Sequence, residues 1–114
     1  MLVCLAVAPG AQNSARVAQL LDEVRSALES GQLAKAVGAG EQAIAVEPRN
    51  SEAHDLLGRA YGLTAQGSQL LEQMRLAKKA RGCFARAVEL DPANAAAWSD
   101  LARYDMRAPA LLGG

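Results

Sequence analysis

Catalytic and metal-binding side chains are scarce in these 114 residues: there is one histidine, His54, and there are two cysteines, Cys4 and Cys83. They fit no spacing typical of zinc, and two cysteines so far apart make no disulfide framework. A bridge would require the N-terminal segment to fold back, so Cys83 reads as a small core or half-buried residue beside Phe84. No glycine-rich phosphate loop occurs, and no nucleophile stands in a pattern with a base. A catalytic reading therefore has no site, and no cofactor or metal is implied. Charge of one sign is lacking too: 12 Lys and Arg balance 12 Asp and Glu. No global field draws the chain to nucleic acid or an anionic membrane. Membrane insertion is excluded because a span needs about 20 consecutive apolar residues. Aromatics make up 4% of a chain that is 51% apolar, so its core must be mostly alanine and leucine.

What is present is a repeat. Ala43-Ile-Ala-Val-Glu-Pro48-Arg-Asn50-Ser-Glu-Ala-His54 returns as Ala87-Val-Glu-Leu-Asp-Pro92-Ala-Asn94-Ala-Ala-Ala-Trp98, an offset of 92 minus 48, or 44 residues. Proline lacks the amide that would continue a helix and restrains the residue before it, so a helix stops at each copy. Asn50 and Asn94 then offer a side-chain oxygen to the free amides of the next helix. Each copy is a helix that ends, turns through proline and restarts.

Reading outward, Ala36, Gly40, Ala43 and Pro48 align with Ala80, Phe84, Ala87 and Pro92, while Leu57, Gly58 and Tyr61 open the helix before the second set. This resembles the tetratricopeptide repeat (TPR), which places an aromatic, Leu-Gly and Tyr on one helix and alanines, an aromatic and proline on its partner. The match is best over 51–98. Upstream, Leu20, Val24 and Ala27 stand at the first-helix positions and Gly40 replaces a bulky residue. That substitution predicts a hole and a weaker first repeat. Family spacing is about 34 residues, so the second copy carries about ten extra between Tyr61 and Ala80. Leu70, Met74, Ala77, Ala80, Phe84, Ala87 and Val88 keep a helical stripe there. The insertion is expected to lengthen both helices, meeting near Gly67, with a loop over 62–68 as the alternative.

The resulting expectation is an all-α fold of antiparallel helix-turn-helix repeats, a TPR-like α-solenoid fragment of about five helices with elongated helices in the second repeat. Residues 13–50 form a degenerate first repeat, 51–94 the second, and 95–114 a capping helix or truncated third repeat whose helix ends near Arg107, before Pro109. The closing Leu-Leu-Gly-Gly suits no conjugation tail in a helical chain. Residues 1–12 read as a truncated signal peptide or a disordered tail. Leu2–Ala8 is an apolar run before Pro9-Gly10 with small residues at plausible cleavage points, but a basic start is missing. Export to the periplasm or outside follows if that reading holds, and a cytoplasmic location if it does not.

Candidate site residues come from the resemblance and from one spacing. Arg25, Arg59 and Arg103 each lie five residues beyond the matching positions Leu20, His54 and Trp98. The family resemblance implies that this side of the first helices lines a concave groove, joined there by Tyr61 and Leu63. Guanidinium groups in a row grip carboxylates by paired, charge-assisted hydrogen bonds. Asp22, Asp55 and Asp100 stand three or four residues upstream of the arginines, where pairing within each helix competes. Some TPR proteins clamp the C-terminal carboxylate of heat-shock chaperones with lysines and asparagines. The set here, Leu21, Arg25, Asp55, Arg59, Ser99 and Arg103, lacks them, so chaperone-tail binding is not implied.

His54 is expected to pack between helices, Gly58 and Gly62 to permit close helix contact, and Arg75, Lys78, Lys79 and Arg81 to form a solvated face. The function that follows is non-catalytic: a scaffold binding an acidic or carboxylate-bearing segment of another protein. The alternative is a structural element whose hairpin 62–79 drives homo-oligomerisation or assembly.

Overall fold

The computed structural model describes residues 9–107, with side chains from 13 to 105. Five helices follow one another: α1 (Pro9–Glu29), α2 (Leu33–Val46), α3 (Ser51–Gln66), α4 (Leu70–Leu90) and α5 (Ala95–Arg107). Among the described residues there is no strand. Proline is well suited to the first helical position, where its missing amide costs nothing, and α1 begins on Pro9. Residues 9–12 are therefore the first turn of this helix. The apolar run 2–8 and Pro109 lie outside the described residues.

Each helix ends for a local reason. Gly31 has φ +75°, and around it Gln32 N–H donates to Ala27 C=O at 2.8 Å and Gly31 N–H to Leu28 C=O at 3.3 Å. These two bonds close the last turn of α1 in a Schellman motif, which favours glycine at the left-handed position. The turns at Pro48 and Pro92 are built alike. Asn50 Oδ1 accepts from Ala53 N–H at 2.9 Å, and Asn94 Oδ1 from Ala97 N–H at 3.1 Å. Asn50 N–H reaches Glu47 C=O at 3.1 Å, and Asn94 N–H reaches Asp91 C=O at 3.0 Å.

His54 Nε2 donates to Pro48 C=O at 2.8 Å, and Trp98 Nε1 donates to Pro92 C=O at 2.9 Å. An imidazole and an indole thus do the same work in the two copies. His54 is a turn brace over its own proline, and the interhelical packing role expected from the sequence goes to its neighbours Ala53 and Leu56.

The insertion is helical, as its apolar stripe indicates. Helix α3 runs through the segment 62–66 that could have been a loop, and α4 begins at Leu70 after the short turn at Gly67. Most of the added length lies in α4, with 21 residues against 14 in α2.

Helix α3 is central because it feeds two cores. Ala53, Leu56 and Ala60 pack with Val17, Leu20, Leu21, Val24 and Ala27 of α1 and the alanines of α2. Leu57, Tyr61 and Ala65 pack with Leu76, Ala80 and Phe84 of α4. Gly40 leaves no hole. A methyl group on it would lie 3.0 Å from Leu57 Cδ1 and 3.2 Å from Leu57 Cβ, so the space given up by α2 is filled by a leucine that is 1% exposed.

Gly58 is tighter still, since a Cβ there would meet the Phe84 ring at 2.6 and 2.8 Å. Gly58→Ala should cost about 1–3 kcal/mol by overpacking. Gly40→Phe, which an empty hole would welcome, should also lower the urea midpoint. A raised midpoint for Gly40→Phe would show the space to be empty after all.

Candidate functional site

A cleft of about 680 Å³ opens between α3, α4 and α5, reaching the end of α1. Its apolar lining is Leu28, Leu63, Ala77, Phe84 and Tyr104. Phe84 and Tyr104 face each other with ring centroids 6.0 Å apart and planes inclined by 59°, which joins α4 to α5. Burial pushes the Tyr104 hydroxyl pKa up. Arg59, Asp100, Arg103, Gln66 and Gln73 supply polar edges.

Three of the five residues expected in the groove are there: Arg59, Leu63 and Arg103. Leu63 is 40% exposed, an apolar side chain left open at the mouth. Arg25 borders a separate, smaller cleft with Glu52, Asp55, Arg59 and the start of α5. Tyr61 is not in the groove. It is buried against α4, its hydroxyl donates to Glu41 of α2 at 2.8 Å, and the Lys79 ammonium lies 5.2 Å from its ring centroid. Burial and the Glu41 hydrogen bond both push its pKa up. The reason is rotational: Tyr61 shares the stripe of Leu57, which faces α4, whereas Arg59, Gly62, Leu63 and Gln66 turn to the cleft.

The arginine row exists, but its members reach across helices as well as along them. Arg25 pairs with Asp22 of α1 at 3.0 Å and also with Glu52 of α3. Arg59 sits 3.2 Å from Asp55 of α3, and its Nε donates to Asp100 Oδ2 of α5 at 2.8 Å. Arg103 approaches Asp100 at 3.8 Å. Alternate acids and guanidinium groups thereby tie α1 to α3 and α3 to α5. Of the three cations, Arg103 is the least engaged, and its side chain is 62% exposed.

The acids of this ladder are unequal. Asp22 and Glu52 are exposed, but Asp55 and Asp100 are buried. Asp55 Oδ1 has no hydrogen-bond partner. Removal from water raises the Asp55 pKa to about 7, helped by hydrogen bonding to the Asp100 side chain and by its charge, and opposed by Arg59. For Arg59, burial works against the charge, yet the Asp100 hydrogen bond and the two carboxylates outweigh it and its pKa is raised.

Sequence spacing located the arginines and missed several of their surroundings. Glu52 was readable as a helix-start acid, but its reach to Arg25 depends on how α1 crosses α3. Gln73 and Ala77 enter the cleft because of where the lengthened α4 lies. Cys83 is half-buried and unpaired, and burial raises its pKa to about 11, which keeps the thiol protonated near neutrality. Arg75, Lys78, Lys79 and Arg81 are exposed on α4, with Arg75 paired to Glu72 and Arg81 Nε to Asp105 at 2.7 Å. Among the described residues no helix is long and apolar enough to cross a membrane. No family model, curated protein or solved structure matches the chain.

Proposed function

We propose that the chain is a TPR-like, non-catalytic scaffold whose groove between α3, α4 and α5 holds a segment of another protein. The observation that carries this reading is the cleft itself, with an apolar lining of Leu28, Leu63, Ala77, Phe84 and Tyr104 and one weakly engaged cation, Arg103, at its edge. Such a site suits a segment presenting apolar side chains and one carboxylate. Apolar contact would supply affinity, and Arg103 the placement of the acid. Arg25 and Arg59 serve mainly to tie helices together, so the charged grip expected of three arginines narrows to one. The near-identical hydrogen bonding of the Pro48 and Pro92 turns supports the repeat, and the packing of Gly58 on Phe84 supports the family resemblance. Two further observations favour a non-catalytic role: His54 is committed to the Pro48 carbonyl and Cys83 is held as a thiol.

A displayed peptide library tests this. Wild type should enrich apolar segments bearing one acidic group, Arg103→Ala should weaken their binding several-fold and more strongly at low salt, and Leu63→Glu should abolish it without loss of helicity. Equal retention by wild type and Leu63→Glu would reject the groove.

A second reading rests on Leu70 and Leu71, 60% and 83% exposed where α4 begins. An apolar end on the long hairpin suits self-association, and a monomer at high concentration in light scattering would discard that reading.

A further inference from the structure

The buried carboxyls of Asp55 and Asp100 face one another across the contact between α3 and α5 and share a single guanidinium, that of Arg59. Arg59 Nε serves Asp100 and Arg59 Nη2 approaches Asp55, which leaves Asp55 Oδ1 buried without a donor. A buried oxygen with no donor is costly when it carries charge, and a proton on it removes the cost by making it a donor itself. The other carboxyl held by the same guanidinium is that of Asp100.

We propose that Asp55 and Asp100 form a proton-held latch between α3 and α5: one proton shared by the two carboxyls keeps α5 seated, and its loss loosens α5. The charged and titratable groups around Asp55 are consistent with this. Helix α3 contributes Arg59 and Glu52, with His54 adjacent in the chain. Arg25 faces it from α1, Asp91 from the end of α4, and Asp100 and Arg103 from α5, while α2 places no charged group in that cleft. Arg25 is already matched by Asp22 and Glu52, and Arg59 is divided between two acids. Among the described residues Arg59 is the cation that pairs with Asp55, and Arg103 reaches only Asp100, at 3.8 Å.

The direction follows from the binding of the proton. Folded Asp55 holds it up to about pH 7, whereas the unfolded carboxyl releases it near 3.8. Between those limits the docked state binds the extra proton, so docking weakens as pH rises and the proton's contribution is complete only below about 4. Because α5 supplies Asp100, Arg103 and Tyr104 to the groove, its release would remove one wall. That consequence rests on the groove reading, but the latch does not.

Amide hydrogen exchange of α5, corrected for the intrinsic pH dependence and measured without ligand, tests the latch. Wild-type protection should fall by up to about tenfold per pH unit between about pH 4 and pH 7 and level off above that. Asp55→Asn, whose amide donates at every pH, should keep α5 protected from pH 5 to pH 8.5. His54→Gln should behave like wild type. Flat wild-type protection, or an Asp55→Asn profile that still titrates, would overturn the proposal. Should Asp55→Asn fold poorly, the wild-type Asp55 carboxyl-carbon titration decides: a midpoint near neutrality supports the latch, and one at the ordinary value of about 4 ends it.

Discussion

Phe84→Ala is expected to cost about 3–5 kcal/mol, the largest effect of any single truncation in this chain. A domain of this size carries roughly 5–15 kcal/mol in total, so the variant should be near its unfolding threshold at physiological temperature. Phe84 is the only phenylalanine in the chain, and the core around it combines Tyr61 and Tyr104 with small and aliphatic side chains. Its ring is the filling between three elements: it lies on Gly58 of α3, belongs to the cluster of Leu57, Tyr61 and Leu76, and contacts Tyr104 of α5. Gly58 has no side chain and the surrounding alanines cannot lengthen, so the space can close only by a shift of Leu57, Tyr61, Leu76 or Tyr104. A urea titration followed by circular dichroism measures the loss. A cost below about 1 kcal/mol would mean that α4 slides to close the gap, against the tight packing assigned to this crossing.

Arg59→Ala should produce the second largest effect. It leaves Asp55 and Asp100 buried around an empty position, and stranding a buried partner costs about 3–5 kcal/mol where water is excluded. The Arg59 side chain is 41% exposed, so solvent reaches part of the site and the expected loss falls to about 1–3 kcal/mol. The sign of a second substitution separates this from simple loss of packing. Adding Asp55→Asn to Arg59→Ala should recover part of the stability, because one of the stranded charges is gone. Were the arginine important only for its hydrocarbon stem, the second change would recover nothing.

How far the sequence can be read here depends on how local the physics is. The turns were legible because a missing amide at Pro48 or Pro92 and a capping oxygen at Asn50 or Asn94 act within a few residues. The helical nature of the insertion was legible from the stripe that ends in Phe84, Ala87 and Val88. The arginine row was legible too, as a spacing. The destination of each guanidinium was not, because Arg25 meets Glu52 and Arg59 meets Asp100 only once α1, α3 and α5 have crossed. Gly40 shows the same limit: aligned with Phe84 it reads as a hole, but Leu57 approaches from a neighbouring helix and takes the space. Tyr61 was assigned to the groove by resemblance, and its rotation about α3, shared with Leu57, puts it in the core. Asp55 and Asp100 were read as partners of arginines along their own helices. Their burial is a tertiary fact, set by the seating of α5, and it is what gives them a chemistry beyond pairing.

On the proposed function, the cleft between α3, α4 and α5 holds the partner segment. Amide shift mapping with a peptide enriched by the wild-type chain locates the contact most directly. The account predicts perturbations concentrated at Leu28, Leu63, Gln73, Ala77 and Arg103, saturating together and absent in Leu63→Glu. Perturbations centred instead on Leu70 and Leu71, with the cleft residues unmoved, would contradict it and make the end of the long hairpin the binding surface.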